Sequence, residues 1–224
     1  GLVNPQALSL LNFNFGSFGV SIFFLITGFL ANHSLEKQSP AKFLAGRALR
    51  VYPTYIVGFS FTFLNIFLYT HFTGQAFPYR FADWLKQVSM FREYFWIASI
   101  DGIVWTLEAQ VKFYLLVALL AALHRNQSAK SLVLTGMLLA AIATLLSTNL
   151  TRMEGAGLVF LYRFGSTTLL ACYCLCFMLL GIPLYQHHAG RWSAGKTVAA
   201  MLFLYACFAI CAKANGSDIV NYTC

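Results

Sequence analysis

Six stretches of mostly apolar residues, each about twenty long, recur along the chain at approximately 15–32, 52–71, 103–123, 131–149, 162–184 and 197–213. A helix rises about 1.5 Å per residue and the hydrocarbon core of a bilayer is about 30 Å thick, so stretches of this length can cross it. Lipid offers no partner to backbone amides, and the alternating pattern of a barrel strand is missing, so each span is expected to be helical. The predicted fold is therefore all-α, a polytopic transmembrane helical bundle with about six spans. Composition agrees: of 224 residues, 59% are hydrophobic and only 10% charged, against about one quarter charged in an average soluble domain. No internal repeat or low-complexity run divides residues 1–224, which read as a single membrane domain. The opening residues GLVNPQALSL lack both an initiator Met and a basic leader, so the chain is expected to begin inside a longer protein.

The net charge of +8 raises nucleic acid as a partner, but the 15 basic residues are scattered between apolar blocks rather than interleaved with aromatics on one face, which argues against it. Their placement predicts orientation instead, because cytoplasmic loops hold the excess of Lys and Arg. Lys37, Lys42, Arg47, Arg50, Arg125, Lys130, Arg191 and Lys196 follow spans one, three and five. Those loops are expected to be cytoplasmic. The 72–102 segment is the only sizeable connection, rich in aromatics, with a short interfacial helix expected around 80–92.

Cys172, Cys174, Cys176, Cys207 and Cys211 lie in apolar stretches, where thiols behave as small hydrophobes. The i, i+4 spacings of Cys172/Cys176 and Cys207/Cys211 allow a four-thiolate metal site, but buried free thiols are the expected outcome and no metal site is predicted. His33, His71, His124, His187 and His188 fall at span ends, where solvated loop positions are expected.

Three blocks carry the residue types from which chemistry is made. In the first, residues 18–30, Gly19, Ser21 and Gly28 interrupt bulky neighbours such as Phe24, a pattern that lets helices approach closely. The second, residues 47–53, sets Arg47 and Arg50 at i, i+3. Two guanidinium forks on one helix side suit a phosphate or pyrophosphate, or else anchor the span against anionic headgroups of membrane lipid. Pro53 biases Tyr52 away from helix, so the arginines are expected on a separate short helix or a kinked extension. The third block opens span three with Trp105, Thr106, Glu108, Gln110, Lys112, Phe113 and Tyr114. Glu108 and Lys112 stand i, i+4, acid first, the favoured order for a helical pair, and intramembrane charges usually face a polar cavity. A neutral structural pair and a catalytic role for Glu108 are both open, and Trp105 and Tyr114 read as interfacial aromatics.

In this order and spacing the blocks resemble the signature of the acyltransferase-3 family of integral membrane O-acyltransferases. The matching elements are the Gly-Val-x-x-Phe-Phe-x-x-Thr-Gly-Phe run at 19–29, Arg-x-x-Arg-Val-x-Pro from Arg47 to Pro53, Trp105-Thr106-Leu107, and Phe113-Tyr114-Leu115. The resemblance covers about residues 16–120. It implies an enzyme that moves an acyl group, acetyl above all, from a cytoplasmic acyl-CoA donor to a hydroxyl of a surface carbohydrate or glycolipid. It also implies residence in a bacterial cytoplasmic (inner) membrane and no tightly bound cofactor. Arg47 and Arg50 would then be donor-side residues, and the family's essential His would lie upstream of Gly1. Gln110 departs from the family, which commonly has Glu there, and the tail ends short of the family's later spans. The competing reading is a non-catalytic polytopic protein, a transporter or lipid-binding scaffold.

Overall fold

A computed structural model describes residues 15–89, 92–95, 100, 104–123 and 128–216. Among these the regular elements are helical: α1 (Phe15–Lys37), α2 (Pro40–Phe72), α3 (Phe81–Gln87), a 3-10 turn (Arg92–Phe95), α4 (Val104–Ala122), α5 (Ala129–Gly155), α6 (Val159–Leu179), α7 (Gly181–His188) and α8 (Ala194–Ala214). Six helical stretches are long and apolar enough to cross a membrane, with α6 and α7 forming one of them. All six predicted spans are present. Two compact units emerge, one of residues 1–33 and 124–224, the other of residues 34–123.

In the first unit α5, α6 and α8 pack on one another, and α7 packs on α6 and α8. Small residues set the approach, as expected where lipid tails are as apolar as the side chains and packing must come from contact. A side chain on Gly136 of α5 would meet Leu204 and Cys207 of α8. The closest approach lies between α1 and the α6–α7 junction. A Cβ on Gly28 would run into the Met178 carbonyl oxygen, and one on Gly181 into that of Leu25. Thiols fill the interior: Cys172, Cys174, Cys176, Cys207 and Cys211 are buried, with the Cys176 and Cys211 sulfurs 3.6 Å apart. Among the described residues no three His, Cys, Asp or Glu side chains gather as metal ligands. Gly157, at φ 70°, supplies the left-handed residue that turns the chain between α5 and α6.

The second unit is built on α2. Ser39 caps its start by accepting from the Lys42 amide at 3.4 Å, and Pro40 takes a first-turn position that needs no amide hydrogen. The helix then continues for 33 residues, about 50 Å. Of the two arrangements expected at Pro53, the separate short helix does not form: the arginines lie on the same helix as the span. Pro53 sits inside one continuous helix, on its exposed side, where its ring meets no neighbouring element and only the Leu49 carbonyl loses its amide partner. The predicted span at 52–71 therefore misses the first turns, in which Lys42, Arg47 and Arg50 depress the hydropathy.

After Thr73 and the left-handed Gly74 the chain turns and runs back along α2. Phe77 packs edge-on against Phe63 and Phe67, the Trp84 indole N–H donates to Ser60 Oγ at 3.3 Å, and the Tyr55 hydroxyl donates to the Gln87 carbonyl at 2.9 Å. The contacts step steadily toward lower numbers on α2, so the segment re-enters by about 25 Å along its axis. The interfacial helix expected around 80–92 is thus shorter, Phe81–Gln87, and the 3-10 turn follows it. Helix α4 lies antiparallel to α2: Val104 packs on Tyr55 and Phe59, whereas Tyr114 reaches Phe43.

Candidate functional site

Two clusters in the second unit collect the chemistry-bearing residues. The first surrounds Arg47. Its guanidinium carbon lies 5.2 Å from the Phe43 ring centre and 5.4 Å from that of Tyr114, and the two rings meet edge to face at 5.6 Å. Phe43 is fully buried and Tyr114 nearly so. Phe43 stands four residues before Arg47 on α2, one turn below it, while Tyr114 comes across from α4, so two elements grip the cation. Beside it opens a groove of about 150 Å³ lined by Arg47 and Tyr114 together with Leu44, Ala48, Val51, Tyr52, Val111 and Leu115. Arg50 is exposed and is not part of that lining. Three residues apart on a helix, the two arginines point about 60° away from each other.

The second cluster lies about 9 Å further along the α4 axis, at Glu108. The expected Glu108–Lys112 pair is not what forms. Glu108 Oε1 lies 3.0 Å from Arg92 Nε, with side chains 0% and 5% exposed, and Lys112 Nζ donates to Glu93 Oε2 at 2.8 Å. Lys112 also sits 5.0 Å from the Tyr94 ring centre. The 3-10 turn thus delivers both counter-ions at the end of the re-entrant path, and each is better placed than the neighbour one helical turn away. Arg92 and Glu93 carried no signal in the sequence, because nothing local links them to α4. Tyr114, read as an interfacial aromatic, is a buried partner of Arg47. Phe43 went unnoticed, although its i, i+4 spacing from Arg47 was a usable sign.

Of the other third-block residues, Gln110 and Phe113 are buried and Trp105 and Thr106 are half-buried on the same helix. The first-block residues Gly19, Ser21, Phe24 and Gly28 belong to the other unit. Ser21 and Phe24 are buried there and Gly28 makes the close approach described above, but a Cβ on Gly19 would meet open space. His71, His187 and His188 are exposed, as expected of solvated positions, and His33 is half-buried, but each lies in a helix and makes a contact. His33 Nδ1 lies 3.2 Å from the Tyr185 hydroxyl, and His187 Nδ1 lies 3.0 Å from the Trp192 carbonyl oxygen. His188 packs on the Phe29 ring at 5.6 Å, His71 stacks on Phe67, and His124 lies outside the described residues. On the outer stretch of the second unit, Asp83 accepts from the Arg80 amide at 2.9 Å, and that bond holds its carboxyl below the ordinary value.

Six helical stretches long and apolar enough to cross a membrane define an integral membrane protein, in which the 3-10 turn and α4 hold a buried network of charges. A family model described as an acyltransferase domain matches residues 2–222, and the chain belongs to that family, acyltransferase-3. The match extends well beyond the stretch of about 16–120 that the three blocks cover. Neither a comparison with curated proteins nor one with solved structures found a match.

Proposed function

We propose that this membrane acyltransferase takes its acyl group, acetyl in the first instance, from a cytoplasmic acyl-CoA and passes it to a hydroxyl of a surface carbohydrate or glycolipid. The observation that carries the donor assignment is the setting of Arg47. A permanently charged fork is held by two rings in the lining of an apolar groove, with a second, exposed arginine one turn along the same helix. A nucleotide thioester has matching parts: phosphates for guanidinium groups and a less polar limb ending in the acyl group. The Lys- and Arg-rich connections after spans one, three and five support a cytoplasmic position for this end of α2, in a bacterial inner membrane. Glu108 is assigned to the network with Arg92, Glu93 and Lys112, which ties the re-entrant segment to α4.

The test is acyl incorporation into membrane glycans by the full-length protein in cells. Arg47→Ala is expected to abolish it, and Arg50→Ala to lower it severalfold or more, at cellular donor concentrations. Near-normal incorporation in both variants ends the donor-side assignment.

A further inference from the structure

The two arginines are alike in sequence and unlike in setting, and that difference assigns them different work. Arg47 is half-buried, fixed between Phe43 and Tyr114, and belongs to the wall of the groove. Arg50 is exposed and does not line the groove, although its charge also reaches Tyr114. A phosphate-bearing limb is hydrated and is best met by a mobile, solvated cation. An uncharged thioester end suits the mostly apolar groove, and a charge fixed at its lining acts more strongly where a bound ligand displaces water.

Resting on the acyl-CoA assignment above, we infer that Arg50 holds the donor's phosphates, that Arg47 faces its thioester carbonyl, and that Phe43 and Tyr114 are positioning residues that aim Arg47. In the transfer the nucleophilic oxygen forms a bond to the thioester carbonyl carbon. The carbon–sulfur bond breaks with its electron pair going to sulfur, and the proton given up by the hydroxyl ends on the thiol of free coenzyme A. Negative charge builds on the carbonyl oxygen before the carbon–sulfur bond opens. A guanidinium already fixed beside that oxygen lowers the barrier without having to reorganise. The rings matter because a long arginine side chain otherwise samples many rotamers, and stacking on two aromatic faces removes most of them.

The test separates binding from turnover in the full-length protein in proteoliposomes, with acetyl-CoA as the probe and free thiol as the readout. Arg50→Ala should raise KM by about tenfold or more, the loss of a charge-assisted phosphate contact, with the rate recovered at saturating acetyl-CoA. Arg47→Ala should lose about a hundredfold or more in kcat, the scale for removing one donor from a developing oxyanion, and added acetyl-CoA should not restore it. Tyr114→Leu should lower kcat about five- to thirtyfold with KM little changed, the scale of a desolvated cation–π contact. Tyr114→Phe, which keeps the ring but loses the hydroxyl's bond with Arg47, should recover part of that loss. Should Tyr114→Leu fail to fold, Arg47→Lys tests the same point, because it keeps the charge but not the planar stacking, and its kcat should fall. Arg47 and Arg50 variants that respond alike to saturating acetyl-CoA, or an unchanged kcat in Arg47→Lys, overturn the division of roles and leave the donor assignment standing. A wild-type protein that does not bind acetyl-CoA removes the donor assignment and this inference together.

Discussion

In the unit built from α5 to α8 and most of α1, backbones approach where side chains are smallest: Gly28 against the Met178 carbonyl, Gly181 against that of Leu25, Gly136 against Leu204 and Cys207. In the unit built from α2 to α4, contact is made by the largest and most polar side chains: Arg92 on Glu108, Lys112 on Glu93, Arg47 on two rings, Tyr55 on the Gln87 carbonyl. The first arrangement is how helices hold together without a hydrophobic drive between them. The second is expensive to build in a membrane and persists where something besides packing depends on it. The difference separates a frame from a working part.

That contrast can be broken by substitutions that act on one unit's mode of contact. The largest effect is expected from Glu108→Gln, which leaves the Arg92 guanidinium buried without its counter-ion, a change worth about 3–5 kcal/mol. The double variant Glu108→Leu with Arg92→Met should recover most of the loss in thermal unfolding of the detergent-solubilised protein. A double variant as unstable as the single one would show that packing, and not charge, holds this part together. Next come Gly28→Ala and Gly181→Ala in the frame, each expected to cost roughly 1–3 kcal/mol because the added methyl meets backbone that cannot rotate away. Gly46→Ala on α2, whose Cβ would meet open space, serves as the matched control. Equal melting temperatures for Gly28→Ala and Gly46→Ala would erase the distinction.

The smallest effect sharpens the comparison at the edge of the working part. Asp83 titrates below its ordinary value of 3.8 because the Arg80 amide donates to it, and nearby Lys86 adds to the effect. A depressed carboxylate stabilises the folded form above its unfolded pKa, and the contribution disappears as pH falls through the folded value. Protection factors for amide exchange over residues 80–84, corrected for the intrinsic rate at each pH, should therefore fall on acidification below about pH 4, and Asp83→Asn should flatten that dependence. An unchanged profile in the variant would place the pH response elsewhere.

The membrane spans were legible because length and hydropathy are properties of consecutive residues, and lipid leaves helix as the only open solution. What escaped reading depends on distant parts of the chain. Glu108 has Lys112 one turn away, and sequence spacing pairs them; the actual partner, Arg92, arrives from a connection that doubles back along α2. The same holds for Tyr114, whose burial against Arg47 requires α4 to lie antiparallel to α2. At Pro53 the separate short helix, one of two expected arrangements, does not form. The bias of a residue before proline is real, but on the exposed side of a helix already capped at Ser39 its local cost is outweighed by the rest of the 33-residue ladder.

The return of the chain beside α2 bears on the surroundings of its tip. Between Thr73 and Phe81 the backbone is not helical, and such backbone is tolerated at membrane depth only against protein or water, never against lipid tails. Gln75, Ala76 and Pro78 are exposed there, so any part of this stretch that the bilayer reaches must face water or headgroups rather than lipid tails.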